Sequence, residues 1–155
     1  MGKFYFAYKT KLGDIIVIYD EKGVCEIKLP YDSLNSLDGL KYMESEEIKR
    51  YLEDYFKGKD PEKLEININV TKFQKKVYDA LCATKRGSTL SYGDLGKLIG
   101  CSSPRAVGQA LKKNPVPIII PCHRVVGKNW DGGFGGETTG EKMDFKKFLI
   151  ELERL

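Results

Sequence analysis

Cys122 and His123 are adjacent residues whose types could carry nucleophilic chemistry, and His123 is the only histidine in the chain. A cysteine thiolate is a strong nucleophile, and an imidazole is a base that can generate it. Because adjacent residues of an extended chain point to opposite faces, the two side chains can meet only where the backbone turns. A cysteine beside isoleucines is equally typical of a small buried hydrophobe, so the pair alone leaves both interpretations open.

The segment that positions Cys122 begins at Asn114 and contains three prolines around an apolar run. The β-branched triplet Ile118–Ile120 predicts a short buried strand. Pro121 cannot donate a hydrogen bond to a sheet, so the strand should end there. The predicted strand would place the Cys122 thiol at the end of a rigid apolar segment.

Charge divides the 155-residue chain into two unlike parts. Residues 1–70 contain 11 basic and 14 acidic residues, whereas residues 71–155 contain 15 and 8. The basic C-terminal part favours an anionic partner, with nucleic acid as the first candidate, although a solvated basic face is the alternative. The apolar stretches fall far short of the roughly 20 residues that span a bilayer, so we expect no membrane association.

The four cysteines are widely separated, and the N-terminus lacks an export signal. Reduced thiols in the cytoplasm are the expectation for such a chain. A single histidine and unpaired cysteine spacings argue against the usual zinc centres, so we expect neither a metal nor a cofactor.

The pattern of the N-terminal part predicts a small antiparallel sheet followed by a helix. Turn residues separate three strand-like segments. The first alternates aromatic with polar or small residues from Phe4, and the others are the apolar run Ile15–Tyr19 and the segment Val24–Leu29. A helix is predicted over Glu44–Phe56, and the alternation of Glu65–Val70 predicts a further short strand. We therefore expect an α+β fold with an N-terminal domain over residues 1–70 and a mostly helical C-terminal domain over residues 71–155.

Three helices are predicted in the C-terminal part: one that begins after Thr71, then Tyr92–Ile99 and a helix from Pro104 to about Lys113. The last two are joined by a short turn, which is typical of a helix-turn-helix. The second helix offers Arg105 and Gln109 among small residues, which suits close approach to DNA phosphates with little sequence readout. Two helices that only pack into a core remain an equally valid interpretation.

Four segments in this order resemble the methylated-DNA–protein-cysteine methyltransferases, which repair 6-O-alkylguanine. They are Ser91-Tyr92-Gly93-Asp94-Leu95, Arg105-Ala106-Val107-Gly108-Gln109-Ala110-Leu111, Asn114-Pro115-Val116-Pro117 and Pro121-Cys122-His123-Arg124-Val125. The match covers roughly residue 71 to the C-terminus. The resemblance implies irreversible alkyl transfer from guanine in duplex DNA to Cys122, after the nucleotide has been flipped out of the helix.

The resemblance also implies a role for individual residues. His123 would be the base of Cys122 through a bridging water, Glu153 would orient His123, Tyr92 would protonate the leaving guanine, and Asn114 would brace the turn. Arg105 would occupy the space that the flipped nucleotide leaves. The expected DNA-binding residues are Arg105, Ala106, Gly108, Gln109 and Lys112, and the expected pocket residues are Pro117, Val125, Trp130 and Asp131.

Trp130, Asp131 and a longer stretch over residues 134–141 depart from the family pattern. Asp131 is expected to face away from the pocket, because a carboxylate there would raise the thiol pKa. We expect a monomer whose partner is double-stranded DNA containing alkylated guanine. Two alternatives stay open: a DNA-binding protein that recognises alkyl lesions without catalysis, and a cysteine hydrolase that uses Cys122 and His123.

Overall fold

The computed structural model of the chain describes residues 2–34, 37–127 and 140–155. It divides into two compact units, Met1–Asn69 and Val70–Leu155. The first unit holds an antiparallel sheet and a helix, and the second is mostly helical, so the predicted α+β fold is confirmed. Within the described residues, no helix has both the length and the apolar character needed to cross a membrane.

The N-terminal sheet has the strand order β3-β2-β1-β4. Strands β1 (Phe4–Thr10), β2 (Gly13–Asp20) and β3 (Gly23–Lys28) form the predicted antiparallel meander. Strand β4 (Lys41–Tyr42) pairs in parallel with β1 and was not predicted. The buried core lies largely on β2, because every residue of its Ile15–Tyr19 run is buried.

The predicted helix of this unit is α1 (Glu46–Phe56), which begins two residues later than expected because Ser45 is its N-cap. The predicted strand over residues 65–70 is wrong: the segment makes only a single bridge, between Val24 and Ile66. The side chain of Asn67 instead donates to the carboxylate of Asp20 at 2.8 Å. The alternating pattern therefore reflects an extended segment held at one point and not a regular strand.

The C-terminal unit contains α2 (Lys72–Cys82), α3 (Tyr92–Ile99), α4 (Pro104–Lys112) and α5 (Glu141–Glu153). The N-caps Thr71, Ser91 and Ser103 each accept a hydrogen bond from a backbone N–H in the first turn. Two short strands that the sequence did not predict, β5 (Leu90–Ser91) and β6 (Val125–Val126), pair in parallel. This pairing places the start of α3 beside the chain that follows Cys122.

The turn between α3 and α4 depends on Gly96, which lies inside α3. The Cys101 N–H donates to the Gly96 carbonyl at 2.8 Å, and a Cβ on Gly96 would lie 2.5 Å from the Cys101 oxygen. Since that separation is shorter than a van der Waals contact, any larger residue must displace the turn. This close approach of Cys101 explains why position 96 is occupied by glycine.

We expect Gly96→Ala to destabilise the protein by about 1–3 kcal/mol, because overpacking forces the backbone apart. Gly108→Ala in α4 is the matched control, because among the described residues no atom beyond the neighbouring helix backbone lies within 4 Å of the added Cβ. That control should gain up to about 1 kcal/mol from helix propensity. Urea unfolding measures both, and equal effects of the two substitutions would contradict the close-contact explanation.

Candidate active site

The segment before Cys122 is a turn and not the predicted strand. Ile118 has a positive φ of 77°, and the Ile120 N–H donates to the Val116 carbonyl at 3.0 Å. Most apolar side chains of this turn are buried, and Ile118 and Ile120 are only 2% and 1% exposed. Pro117 and Pro121 lack the N–H groups of a ladder, which disfavours an extended strand here.

Asn114 holds this turn in place with both ends of its side-chain amide. Its Nδ2 donates to the Ile120 carbonyl at 2.8 Å, and its Oδ1 accepts from the Val116 N–H at 3.0 Å. The Cys122 N–H donates to the same Ile120 carbonyl at 2.8 Å. Asn114 therefore shares an acceptor with the backbone of the candidate nucleophile.

Cys122 begins a 3-10 turn, Cys122–Arg124. The backbone therefore turns at Cys122 and His123, as required for their side chains to meet. Burial raises the pKa of the Cys122 thiol, while a hydrogen bond with Asn114 and the positive charge of Lys146 act in the opposite direction. Because burial dominates, Cys122 rests as a thiol at neutral pH and needs a base to become a nucleophile.

His123 is completely buried, and its Nε2 lies 2.5 Å from Oε2 of Glu153. Burial lowers the pKa of His123 below its ordinary value of 6.5, and the bond to Glu153 only partly offsets this. The ring is therefore neutral at pH 7, with the Nε2 proton donated to Glu153. Its Nδ1 then carries a lone pair and makes no hydrogen bond to any residue the structure describes, which leaves it able to accept a proton.

Glu153 is shared between His123 and Arg124. The Arg124 Nε donates to Oε1 of Glu153 at 2.8 Å, and its Nη1 donates to the carbonyl and hydroxyl oxygens of Thr84 at 3.0 and 2.9 Å. A buried carboxylate is stable only when it is paired and hydrogen-bonded. Arg124 supplies that pairing, and sequence reasoning did not assign it this role.

Lys146 is the second site residue that sequence reasoning missed. It is completely buried, and its Nζ donates to the Val125 carbonyl at 2.6 Å. Its charge lowers the pKa of both Cys122 and His123. Lys146 and Glu153 share the inward stripe of α5 with Leu149 and Ile150. Charged residues at core-facing positions of a helix are unusual, and this is the signal that could have identified Lys146.

The residues expected to face DNA lie on α4. Arg105, Gln109 and Lys112 are exposed, and Ala106 and Gly108 are half-buried. Val107 and Ala110 form the buried side of α4, and Leu111 lies half-buried at the edge of that side. The expected residues thus share the outer side of the helix.

The other expected site residues are less completely placed. Tyr92 is the first residue of α3 and is half-buried. Pro117 and Val125, which precede and follow Cys122 in the sequence, are both buried. Trp130 and Asp131 lie outside the described residues, as does most of the stretch over residues 134–141. Of the four residues expected to line the alkyl pocket, only Pro117 and Val125 therefore lie within the described part of the chain.

Comparison with known proteins assigns both units to one family. Residues 72–155 match the model of the 6-O-methylguanine DNA methyltransferase DNA-binding domain, and residues 3–70 match that of the ribonuclease-like domain of the same methyltransferase. Together with a relative that is similar over almost its whole length, these matches show that the chain belongs to the 6-O-methylguanine DNA methyltransferase family. The resemblance carried by the four sequence segments is confirmed.

Individual relatives bear this out. A methylated-DNA–protein-cysteine methyltransferase of Methanocaldococcus jannaschii is 46% identical over 108 residues, which are 70% of this chain and 61% of that protein. The chain thus spans less than two thirds of that relative. The Methanosarcina mazei methyltransferase is 35% identical over 161 residues, 97% of this chain and 96% of that protein. The crystal structure of Mycobacterium tuberculosis OGT in complex with DNA has a TM-score of 0.81 at 29% identity, over 97% and 92% of the two chains.

Lys146→Met tests the charge next to the thiol, since it removes the cation and keeps most of the side-chain length. We expect the pH at which Cys122 reacts with iodoacetamide to rise, because the thiolate loses a stabilising charge. Peptide-resolved mass spectrometry distinguishes Cys122 from the other three cysteines, Cys25, Cys82 and Cys101. Lys147→Met, at an exposed position of the same helix, is the control. If both variants reacted with the pH profile of the wild type, Lys146 would have no influence on the thiol.

Proposed function

We propose that this protein repairs DNA by transferring the alkyl group of a 6-O-alkylguanine in duplex DNA irreversibly to Cys122. The observation that carries the proposal is the buried His123–Glu153 pair directly after the buried Cys122, in the same unit as α4 and its exposed Arg105, Gln109 and Lys112. Its family, the names of its relatives and the DNA complex of the Mycobacterium tuberculosis protein support it.

In the proposed reaction His123 takes the thiol proton of Cys122 through a bridging water, since its Nδ1 is the free basic atom. The sulfur of Cys122 then attacks the alkyl carbon, a carbon–sulfur bond forms, and the carbon–oxygen bond breaks with its electron pair left on guanine. Tyr92 supplies a proton to the departing base. Acid catalysis of this kind contributes about 100- to 10,000-fold in general.

Glu153 and Asn114 are proposed to position the reacting groups. Glu153 fixes the His123 tautomer and stabilises the imidazolium that forms when the proton arrives. Asn114 braces the turn and, through its hydrogen bond, favours the thiolate of Cys122. The hydrogen bond from Asn114 opposes, without outweighing, the burial that keeps Cys122 protonated at rest, so His123 is still needed as the base.

The DNA side of the proposal rests on the outer side of α4. Guanine O6 is enclosed in the base stack, so a buried thiol requires the nucleotide to be flipped out, at a cost of a few kcal/mol. Arg105 would fill the vacated space, and Lys112 would meet phosphate. Ala106, Gly108 and Gln109 would lie against the backbone, and Pro117, Val125, Trp130 and Asp131 would line the pocket for the alkyl group.

The product is a thioether, which is not readily hydrolysed, so each chain should act once. We further propose a monomeric, cytoplasmic protein whose domains are residues 1–70 and 71–155. The wide spacing of the four cysteines in the sequence supports a reducing location. A cysteine hydrolase would use the same Cys122–His123 pair, and the next experiment separates the two.

Incubation with duplex DNA containing guanine methylated at O6 should add one methyl group to the peptide that contains Cys122. Cys25, Cys82 and Cys101 serve as internal controls, and Cys122→Ser should remain unmodified because it lacks the thiol. Peptide mass spectrometry measures the transfer. No added methyl group would exclude the repair function, and hydrolysis of a thioester or nitrophenyl ester that Cys122→Ser abolishes would then identify a cysteine hydrolase.

A further inference from the structure

Tyr78 in α2 is a buried polar residue that the proposed reaction does not use. The residue is 3% exposed, and its hydroxyl donates to the carbonyl of Ala110 at 2.7 Å. Ala110 belongs to the last turn of α4, so the bond joins α2 to the end of the helix proposed to meet DNA.

The carbonyl that Tyr78 occupies is one that the helix itself leaves open. In a continuing α-helix the Ala110 carbonyl would accept from the N–H of Asn114. That N–H donates instead to the Leu111 carbonyl at 3.2 Å, because the chain leaves the helix at this point. The Tyr78 hydroxyl supplies the missing donor, which lets α4 end where it does.

The end of α4 leads directly to the candidate nucleophile. Asn114 follows α4 and donates to the Ile120 carbonyl, which also accepts from the Cys122 N–H. A displacement of the last turn of α4 therefore changes the spacing between that helix and the thiol.

On this basis, and resting on the proposed function, we propose that Tyr78 is a positioning residue that sets the distance between DNA bound on α4 and the Cys122 thiol. Its hydroxyl is suited to this role at all ordinary pH values. Burial, and then the charge of an ionised Cys122, raise the pKa of Tyr78 to about 12, so the donor proton stays in place.

Tyr78→Phe deletes only the hydroxyl and tests the proposal. We expect methyl transfer from duplex DNA at saturating concentration to slow by about tenfold, since small misplacements of reacting groups have effects of this size or larger. Reaction of the same Cys122 thiol with iodoacetamide does not need DNA and should change far less. The ratio of the two rates is the readout, because a residue that served only stability would leave it unchanged.

Tyr19→Phe is the matched control. Its hydroxyl donates to the Met43 carbonyl, also at 2.7 Å, and it belongs to the N-terminal unit. It should lower the melting temperature and keep the wild-type ratio of rates. Equal ratios for Tyr78→Phe and Tyr19→Phe would overturn the proposal.

Amide hydrogen exchange is a second test of the proposal, and it does not depend on methyl transfer. Tyr78→Phe should accelerate exchange at Lys113 and Asn114, the last amides that bond to α4, and leave the amides of α3 unchanged. Unchanged exchange at those two amides would also overturn the proposal. If the wild type transferred no methyl group to Cys122, the proposed function itself would fail, which is a different outcome from a Tyr78→Phe variant that behaves like the wild type.

Discussion

The buried carboxylate of Glu153 is the constraint on which the site depends. A carboxylate removed from water is costly unless its oxygens are hydrogen-bonded to charged or polar donors. Here one oxygen meets His123 and the other meets Arg124, which is itself anchored on Thr84. Satisfying Glu153 thus fixes the ring of His123, the turn that carries Cys122, and the position of the last turn of α5.

This arrangement gives adjacent residues of one short turn different tasks. His123 and Arg124 are neighbours in the chain and bind the two oxygens of the same carboxylate, while Cys122 precedes them. The turn is held from the other side by Asn114, which follows α4. The thiol is therefore fixed between a helix proposed to face DNA and a helix that carries its charged partners. Rigid placement of this kind is what a one-step displacement at carbon requires.

Local signals were sufficient to predict the meander, the helices after Thr71, Ser91 and Ser103, and the family itself. Glu153 was assigned by resemblance alone, and the structure places it against His123. The strand predicted at Ile118–Ile120 failed because apolar β-branched residues indicate burial as well as extension, and a positive φ at Ile118 cannot be inferred from its type. Arg124, Lys146 and Tyr78 escaped prediction because each acts through contacts with residues distant in sequence, which local patterns do not encode.

In the proposed reaction Cys122 is consumed, and the stoichiometry of repair tests this most directly. A limiting amount of protein is incubated with a large molar excess of duplex DNA methylated at guanine O6, and the repaired guanine is counted until the reaction stops. Because the thioether is not readily hydrolysed, we expect a plateau at one repaired guanine per chain, with all the lost methyl groups recovered on Cys122. Repair that continues beyond one guanine per chain would contradict it.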